Sequence, residues 1–261
     1  MAIGKLETRT SVSAKIRQQV HLFGKHLAGD GRYLEDRQSG IPSIRLELQV
    51  QVGDKPSVLL QVCDGCYFWT YRKLCDQPAS LSRIDALRAA TALAEANKLP
   101  GHDPAKLLPG LGGLPRLLRG LHSHFDFTSA ERGQWGMRQV WQLEGGWKPG
   151  PLSRILPKQK GPIDPAKPVD VTRLPEPHPH VVVLILGQED LFPYRIEYSR
   201  KVVSKDREKV SEEVRPVVTM EFSEVRFNSP LDPSHFIYNP GKAEYTDQTE
   251  AFLQALGVKK P

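Results

Sequence analysis

No stretch of this chain is apolar for long enough to cross a membrane as a helix. The longest uninterrupted apolar run, Val181 to Leu186, has the length of a strand. The opening residues, Met-Ala-Ile-Gly-Lys-Leu-Glu, lack the apolar core of a signal peptide. An exported protein of this sequence is therefore expected to be a mature or trimmed form, or one whose export signal lies outside the chain. Cysteine is scarce: Cys63, Cys66 and Cys75 are the three present. A zinc site takes about four ligands, and no second Cys/His pair at finger spacing follows, so no metal is expected. Cys63-Asp-Gly-Cys66 has the spacing of redox pairs, yet it lies between two strand-like runs and opens no helix. Unpaired thiols in structural or incidental roles are expected, with a disulfide left open for an oxidising compartment.

Catalytic signatures are missing too. There is no GxSxG elbow, no HExxH and no phosphate-cradling GxxxxGK[ST]. Gly110-Leu-Gly-Gly113 follows no convincing buried strand and lacks the rest of a dinucleotide fingerprint, so no cofactor is expected. His122 and His124 stand i, i+2 at a helix end, point to different faces, and cannot share a metal unless the helix breaks. His178 and His180 fall in a proline-rich segment and are expected at the surface. No catalytic residue is expected, and an enzyme built on His122 or His124 is the least favoured reading.

What is present is an ordinary soluble composition: 261 residues, 39% hydrophobic and 25% charged. That length suits one large β-rich domain or two small ones. The net charge of +6 favours acidic partners only weakly. The densest charged run, Arg200 to Arg215, mixes both signs, which argues for a solvated hairpin loop and against nucleic acid.

Periodicity supplies the elements. Ile16, Val20, Phe23 and Leu27 recur at helical spacing and predict an amphipathic helix over residues 11–28, ended by Gly29-Asp-Gly31. Strands are expected at Arg32 to Asp36, at Ile44 to Val52 and, after a Gly53-Asp54 turn, at Ser57 to Cys63. Asp64-Gly65 is the strongest hairpin signal, returning as Cys66 to Tyr71 with Tyr67, Trp69 and Tyr71 on one face. A helix is expected from Ser80 or Ser82 to about Glu95, with Leu81, Ile84, Leu87 and Thr91 inward and Pro100-Gly101 closing it. A second helix runs from Pro115 to Ser123, where Leu111, Leu114, Leu117, Leu118, Leu121 and Phe125 make one apolar stripe.

A strand follows at Gln134 to Glu144, turned by Gly145-Gly146. Nine prolines between Trp147 and His180 exclude a regular helix or central strand and leave a linker or a long ordered loop. His180 to Leu186 and Leu191 to Lys201 predict a hairpin. The last strand, Val214 to Asn228, changes its inward side near Ser223-Glu224, which predicts a bulge, and Pro230 ends it. Asp232-Pro233 then predicts a capped single turn that delivers Phe236, and Thr249 to Leu256 a final helix.

Helix, strands, a DG-W-Y hairpin, two middle helices and a closing F-N-x-P-x-D-x-x-x-F occur in an order that resembles the LolA-like proteins of bacterial envelopes. The resemblance implies an α+β fold with a single strongly curved antiparallel sheet, an incomplete barrel. It implies an N-terminal helix and lid helices over the concave face. The chain departs from that pattern in its long middle helices and in an insertion at 147–180, within one domain of residues 1–261. By the same resemblance the protein is expected to be non-enzymatic and periplasmic or otherwise in the envelope. It would be monomeric, binding lipid, acyl chains or a lipoprotein and meeting membrane-associated protein partners. Trp69 on the hairpin and Leu114, Leu117, Leu118, Leu121 and Phe125 on the lid are the expected lining residues, with ordinary core as their other reading. Gly110 to Gly113 is either the lid's hinge or a loop. A sensory or protein-interaction module on the same fold is the alternative.

Overall fold

The computed structural model describes residues 1–96, 112–156 and 171–257, apart from 23, 24, 39, 53, 54, 76, 172, 173, 176, 177, 207 and 208. The expected Gly53-Asp54 turn, the Pro100-Gly101 stop, Gly110-Leu111, residues 157–170 and the Arg207-Glu208 tip lie outside the described residues.

The first half of the chain builds six strands: β1 (Ser11–Leu22), β2 (Lys25–Asp36), β3 (Ser43–Val52), β4 (Lys55–Cys63), β5 (Tyr67–Lys73) and β6 (Ser80–Asp85). Six more follow: β7 (Phe125–Trp135), β8 (Arg138–Trp147), β9 (Val181–Gly187), β10 (Pro193–Asp206), β11 (Lys209–Phe227) and β12 (Thr246–Asp247). They form one open sheet in the order β12-β6-β5-β4-β3-β2-β1-β11-β10-β9-β8-β7. Pairing is antiparallel from β2 through β6 and from β7 through β11, while β12 lies parallel to β6. Among the described residues five α-helices accompany it: α1 (Ala2–Glu7), α2 (Ala86–Ala96), α3 (Gly113–His124), α4 (Pro149–Ile155) and α5 (Thr249–Ala255). The class is the expected α+β.

Residues 11–28, expected as a helix, are the β1–β2 hairpin. Val12, Ala14 and Ile16 are all buried, so the working period is two. Ile16 and Val20 satisfy both periods, and β-branched residues favour the strand. The N-terminal helix is the upstream α1, which buries Leu6. Gly29 and Gly31, expected to stop a helix, lie inside β2 opposite Val50 and Leu48. A Cβ on Gly31 would overlap the Glu47 carbonyl oxygen, so glycine there permits the close approach of β2 and β3.

Ser80 to Asp85 is also strand, paired with β5 through Tyr71–Leu81 and Phe68–Ile84. The helix begins at Ala86, where the Asp85 carboxylate accepts the Arg88 N–H at 2.9 Å. Leu81 and Ile84 are buried as expected. The later start rotates the helical face, so Leu87 is 64% exposed and Thr91 is also exposed, while Ala89, Ala92 and Leu93 turn inward.

The strand expected at Gln134 to Glu144 is split by a tight turn at Gly136-Met137, with Gly136 at φ 59°. Gly145-Gly146 does not turn the chain. It continues β8, where a Cβ on Gly145 would meet the Phe127 ring at 2.7 Å. The proline-rich segment carries α4, which has proline in its first turn, the position that tolerates it. Leu152 and Leu156 pack with Leu174, and Arg200 donates to the Leu174 and His178 carbonyls at 2.9 and 2.5 Å. The charged run at 200–215 is ladder, Arg200 facing Arg215 and Asp206 facing Lys209, where a loop was expected.

The hairpin at Asp64-Gly65, the β9–β10 hairpin and α5 stand where the sequence places them. So does the closing segment. Glu224 adopts φ 49°, and the pair Ser223-Glu224 is exposed between buried Phe222 and half-buried Val225, a change of side at the expected place. Asp232 accepts the Ser234 N–H at 2.9 Å and Phe236 is 5% exposed.

The chain divides into two compact units. One holds Met1–Arg17, Ala28–Gly120 and Phe222–Pro261; the other holds Gln18–Leu27 and Leu121–Glu221.

Two stability outcomes follow from these contacts. Gly31→Ala should cost more than about 1 kcal/mol, since backbone must yield, whereas Gly146→Ala, with open space around it, should stabilise by roughly 0.5 kcal/mol. Urea unfolding of the pair reads this directly, and equal midpoints would refute the close-approach argument. Phe236→Ala should cost about 3–5 kcal/mol if the closing turn anchors the chain through that ring, and the same titration measures it.

Candidate functional site

α3 carries the apolar stripe that the sequence marks. Leu114, Leu118 and Leu121 recur every three or four residues and are buried, Leu117 is half-buried and Arg119 is exposed. Phe125, expected as the end of that stripe, is the first residue of β7; it is buried, and its ring lies 4.4 Å from that of Trp147. Gly112 and Gly113 lead into the helix with φ 94° and 68°, a left-handed entry that bulky residues resist.

The helix start is fixed by a polar cluster on β2. Tyr33 and Glu35 are both buried, and the Tyr33 hydroxyl donates to Glu35 Oε2 at 2.5 Å. That same hydroxyl accepts the Leu114 N–H at 3.1 Å, satisfying one of the donors that a helix start leaves open. Arg37, just beyond β2, forms an ion pair with Glu35. A Cβ on Gly113 would come within 2.7 Å of the Tyr33 hydroxyl and would overlap the Glu35 carboxylate, so only glycine lets the helix sit this close. Burial pushes the Glu35 carboxyl above the usual range, and the Arg37 charge and the hydrogen bonds from Tyr33 and Arg37 only partly oppose it. Burial likewise raises Tyr33, aided by the neighbouring carboxylate.

Trp69 is 5% exposed and is enclosed by aromatic rings. Tyr67, Tyr238 and Tyr245 lie 6.1, 5.4 and 5.2 Å from it, centroid to centroid. The Arg83 guanidinium stacks on Tyr67 at 4.4 Å and on Tyr245 at 4.6 Å, and pairs with Asp247 at 2.9 Å. Beside it a cleft of about 320 Å³ is lined by Arg83, Arg88, Asp247 and Glu250 among others. Its cations pair with its own carboxylates, Arg88 with Glu250 at 2.8 Å, so it offers polar walls that do not suit an acyl chain. The residues expected from the sequence to line a site therefore fall on three elements, an enclosed tryptophan on β5, a leucine stripe on α3 and Phe125 on β7.

The histidines at the end of α3 differ in setting. His122 is exposed, with Lys148 Nζ donating to its carbonyl at 2.5 Å, while His124 is buried with its ring edge toward Trp147. His180, expected at the surface, is buried, and its Nδ1 accepts the Lys201 N–H at 2.9 Å. All three cysteines are free thiols; burial pushes Cys63 up to about 11, which makes it a poor nucleophile at neutral pH.

Sequence reasoning missed Tyr33, Glu35 and Arg37. They recur at every second position, which places them on one side of β2, and a charged residue in phase with a buried tyrosine was the available signal.

No protein-family model matches the chain, and no curated protein does. Among solved structures it is similar to a putative outer membrane lipoprotein-sorting protein domain from Vibrio parahaemolyticus, with a TM-score of 0.34 and 10% identity over 90% of this chain and 94% of that one. It is also similar to a DUF1329 family protein from Desulfovibrio piger, with a TM-score of 0.30 and 11% identity over 90% of this chain and 93% of the other.

The Glu35 cluster generates a pH dependence. Because folding raises this carboxyl, its stabilising share is complete below the unfolded value of about 4.3 and is lost as pH rises through the folded value. Glu35→Gln cannot ionise, so wild type should lose stability relative to this variant as pH climbs from 4 toward 8. Urea midpoints of both proteins across that range test it, and a constant difference would refute it.

Proposed function

We propose that this chain is a non-enzymatic protein of the periplasm or cell envelope that binds lipid or lipoprotein acyl chains. In this reading residues 1–261 act as one domain, and an acyl chain takes the place of the α3 stripe when the helix swings away. The observation that supports it is α3 itself. Its Leu114, Leu118 and Leu121 are buried, its entry runs through two left-handed glycines, and the Tyr33 side chain on β2 holds its start. The order of the DG-W-Y hairpin, α3 and the closing Phe236 turn along the chain supports the same reading.

The magnitudes suit reversible exchange. Exposing Leu114, Leu118 and Leu121 costs about 1.5–3 kcal/mol each, so roughly 5–9 kcal/mol in all. Burying eight to ten methylenes of an acyl chain returns roughly 6–8 kcal/mol at about 0.8 kcal/mol each. Near-balance is what a carrier needs, since it must both take up and release its load. Membrane-associated proteins would then serve as donor and acceptor.

Native mass spectrometry of protein purified without detergent, with solvent extraction alongside, is expected to find bound acyl chains. Leu118→Ala weakens the competing helix packing by about 2 kcal/mol or more, so it should raise the affinity for a fluorescent fatty acid about tenfold or more. A protein that is empty on purification, and that in both forms ignores the fatty acid, would sink the proposal.

A further inference from the structure

The β1–β2 hairpin carries a pair of histidines that the acyl-binding reading does not use. His21 stands one residue before the end of β1 and His26 one residue after the start of β2. Both are exposed, and their rings lie 4.3 Å apart, centroid to centroid, tilted by 31°. Neighbouring antiparallel strands place directly opposed side chains on the same face, with Cβ atoms roughly 5 Å apart. Two imidazoles are therefore presented side by side to solvent on neighbouring strands.

We propose that His21 and His26 form a bidentate site for a late first-row divalent cation. Imidazole nitrogen is a favoured ligand for Zn²⁺, Ni²⁺ and Cu²⁺, and hard cations such as Mg²⁺ and Ca²⁺ prefer oxygen. A tetrahedral ion at roughly 2.0–2.1 Å from each nitrogen needs its two ligand atoms roughly 3.3 Å apart. Rings stacked at 4.3 Å reach that spacing by a small rotation of two exposed side chains, with no movement of the strands. Among the described residues no third histidine, cysteine or carboxylate converges with them, so water completes the coordination sphere. A site of this kind has open positions, through which an exchangeable ion or a ligand carried on the ion can enter. Its bound ion would also staple the hairpin, since chelation joins the two strands through side chains as well as backbone.

The gain over a single exposed histidine comes from the second ligand already being in place. That pre-organisation is worth about a hundredfold in affinity. The test uses the full chain without any polyhistidine tag, titrated with Zn²⁺ and, separately, Ni²⁺ by calorimetry, with histidine ring proton resonances followed by NMR. One ion per chain is expected. The ring signals of His21 and His26 should move together, while those of His122, His178 and His235 stay in place. His21→Asn and His26→Asn should each weaken binding by about a hundredfold, leaving single-histidine affinity, and the double variant should abolish binding at the hairpin. Binding should also fade on acidification, because a ligating nitrogen must shed its proton. Both positions are exposed, so unchanged unfolding curves for the metal-free variants establish that the fold is intact. Binding that survives either substitution, or that moves the ring signals of another histidine, overturns the proposal. So does an affinity in wild type no better than in the single variants.

Discussion

A carboxylate with 1% of its surface exposed has to be held by something, and on this chain what holds Glu35 also decides where α3 begins. Tyr33 connects the two. Its hydroxyl donates a hydrogen bond to the carboxylate and accepts one from the Leu114 N–H. Arg37 supplies the countercharge from just beyond the strand, and Gly113 supplies the space. Removing any one member leaves a buried polar group without its complement, which is costlier than the bond itself was worth. The leucine stripe then follows by helical geometry: once residue 114 is fixed, 118 and 121 must share its face.

This dependence explains which parts of the fold were legible in the sequence. Where one residue type has one mechanical use, the reading held. Asp64-Gly65 makes a hairpin because Gly65 takes φ 89° and the Asp64 carboxylate accepts two backbone N–H groups, and Asp232-Pro233 caps a turn by equally local means. Where a residue has two uses, local pattern was not enough. Ile16 and Val20 are spaced for a helix or a strand alike, and only the buried trio of Val12, Ala14 and Ile16 settles it. Ser80 and Ser82 look like helix caps but sit in β6, and the true cap is Asp85. Gly29, Gly31, Gly145 and Gly146 look like turns and lie within strands, three of them because a neighbouring carbonyl or ring leaves no room for a side chain. The polar cluster at α3 was invisible for a related reason: its partners are 81 residues apart in the chain, and no local period joins them.

The same distinction applies to the expected lining residues. Leucine spacing on α3 was readable because a helix converts spacing into a face. The surroundings of Trp69 were not, since two of its three ring neighbours, Tyr238 and Tyr245, come from the segment after the 3-10 turn. That segment also places β12 beside β6 and sets Thr249 Oγ1 to accept the Asp85 N–H at 3.0 Å. The last stretch of chain thus completes an aromatic cluster whose first members were laid down by the hairpin at Asp64-Gly65.

The neighbours of β1 have a bearing on synthesis. On one side lies β2, its hairpin partner; on the other lies β11, near the opposite end of the chain. The Asn228 side chain accepts the Thr10 N–H and its own N–H donates to the Ser11 carbonyl, a junction spanning 218 residues. During synthesis β1 is made long before β11 and then waits for it. One of its edges stays open until β11, which begins at Lys209, has been made. For that interval the nascent chain presents an unpaired strand edge, the kind of surface that chaperones bind and that aggregation exploits.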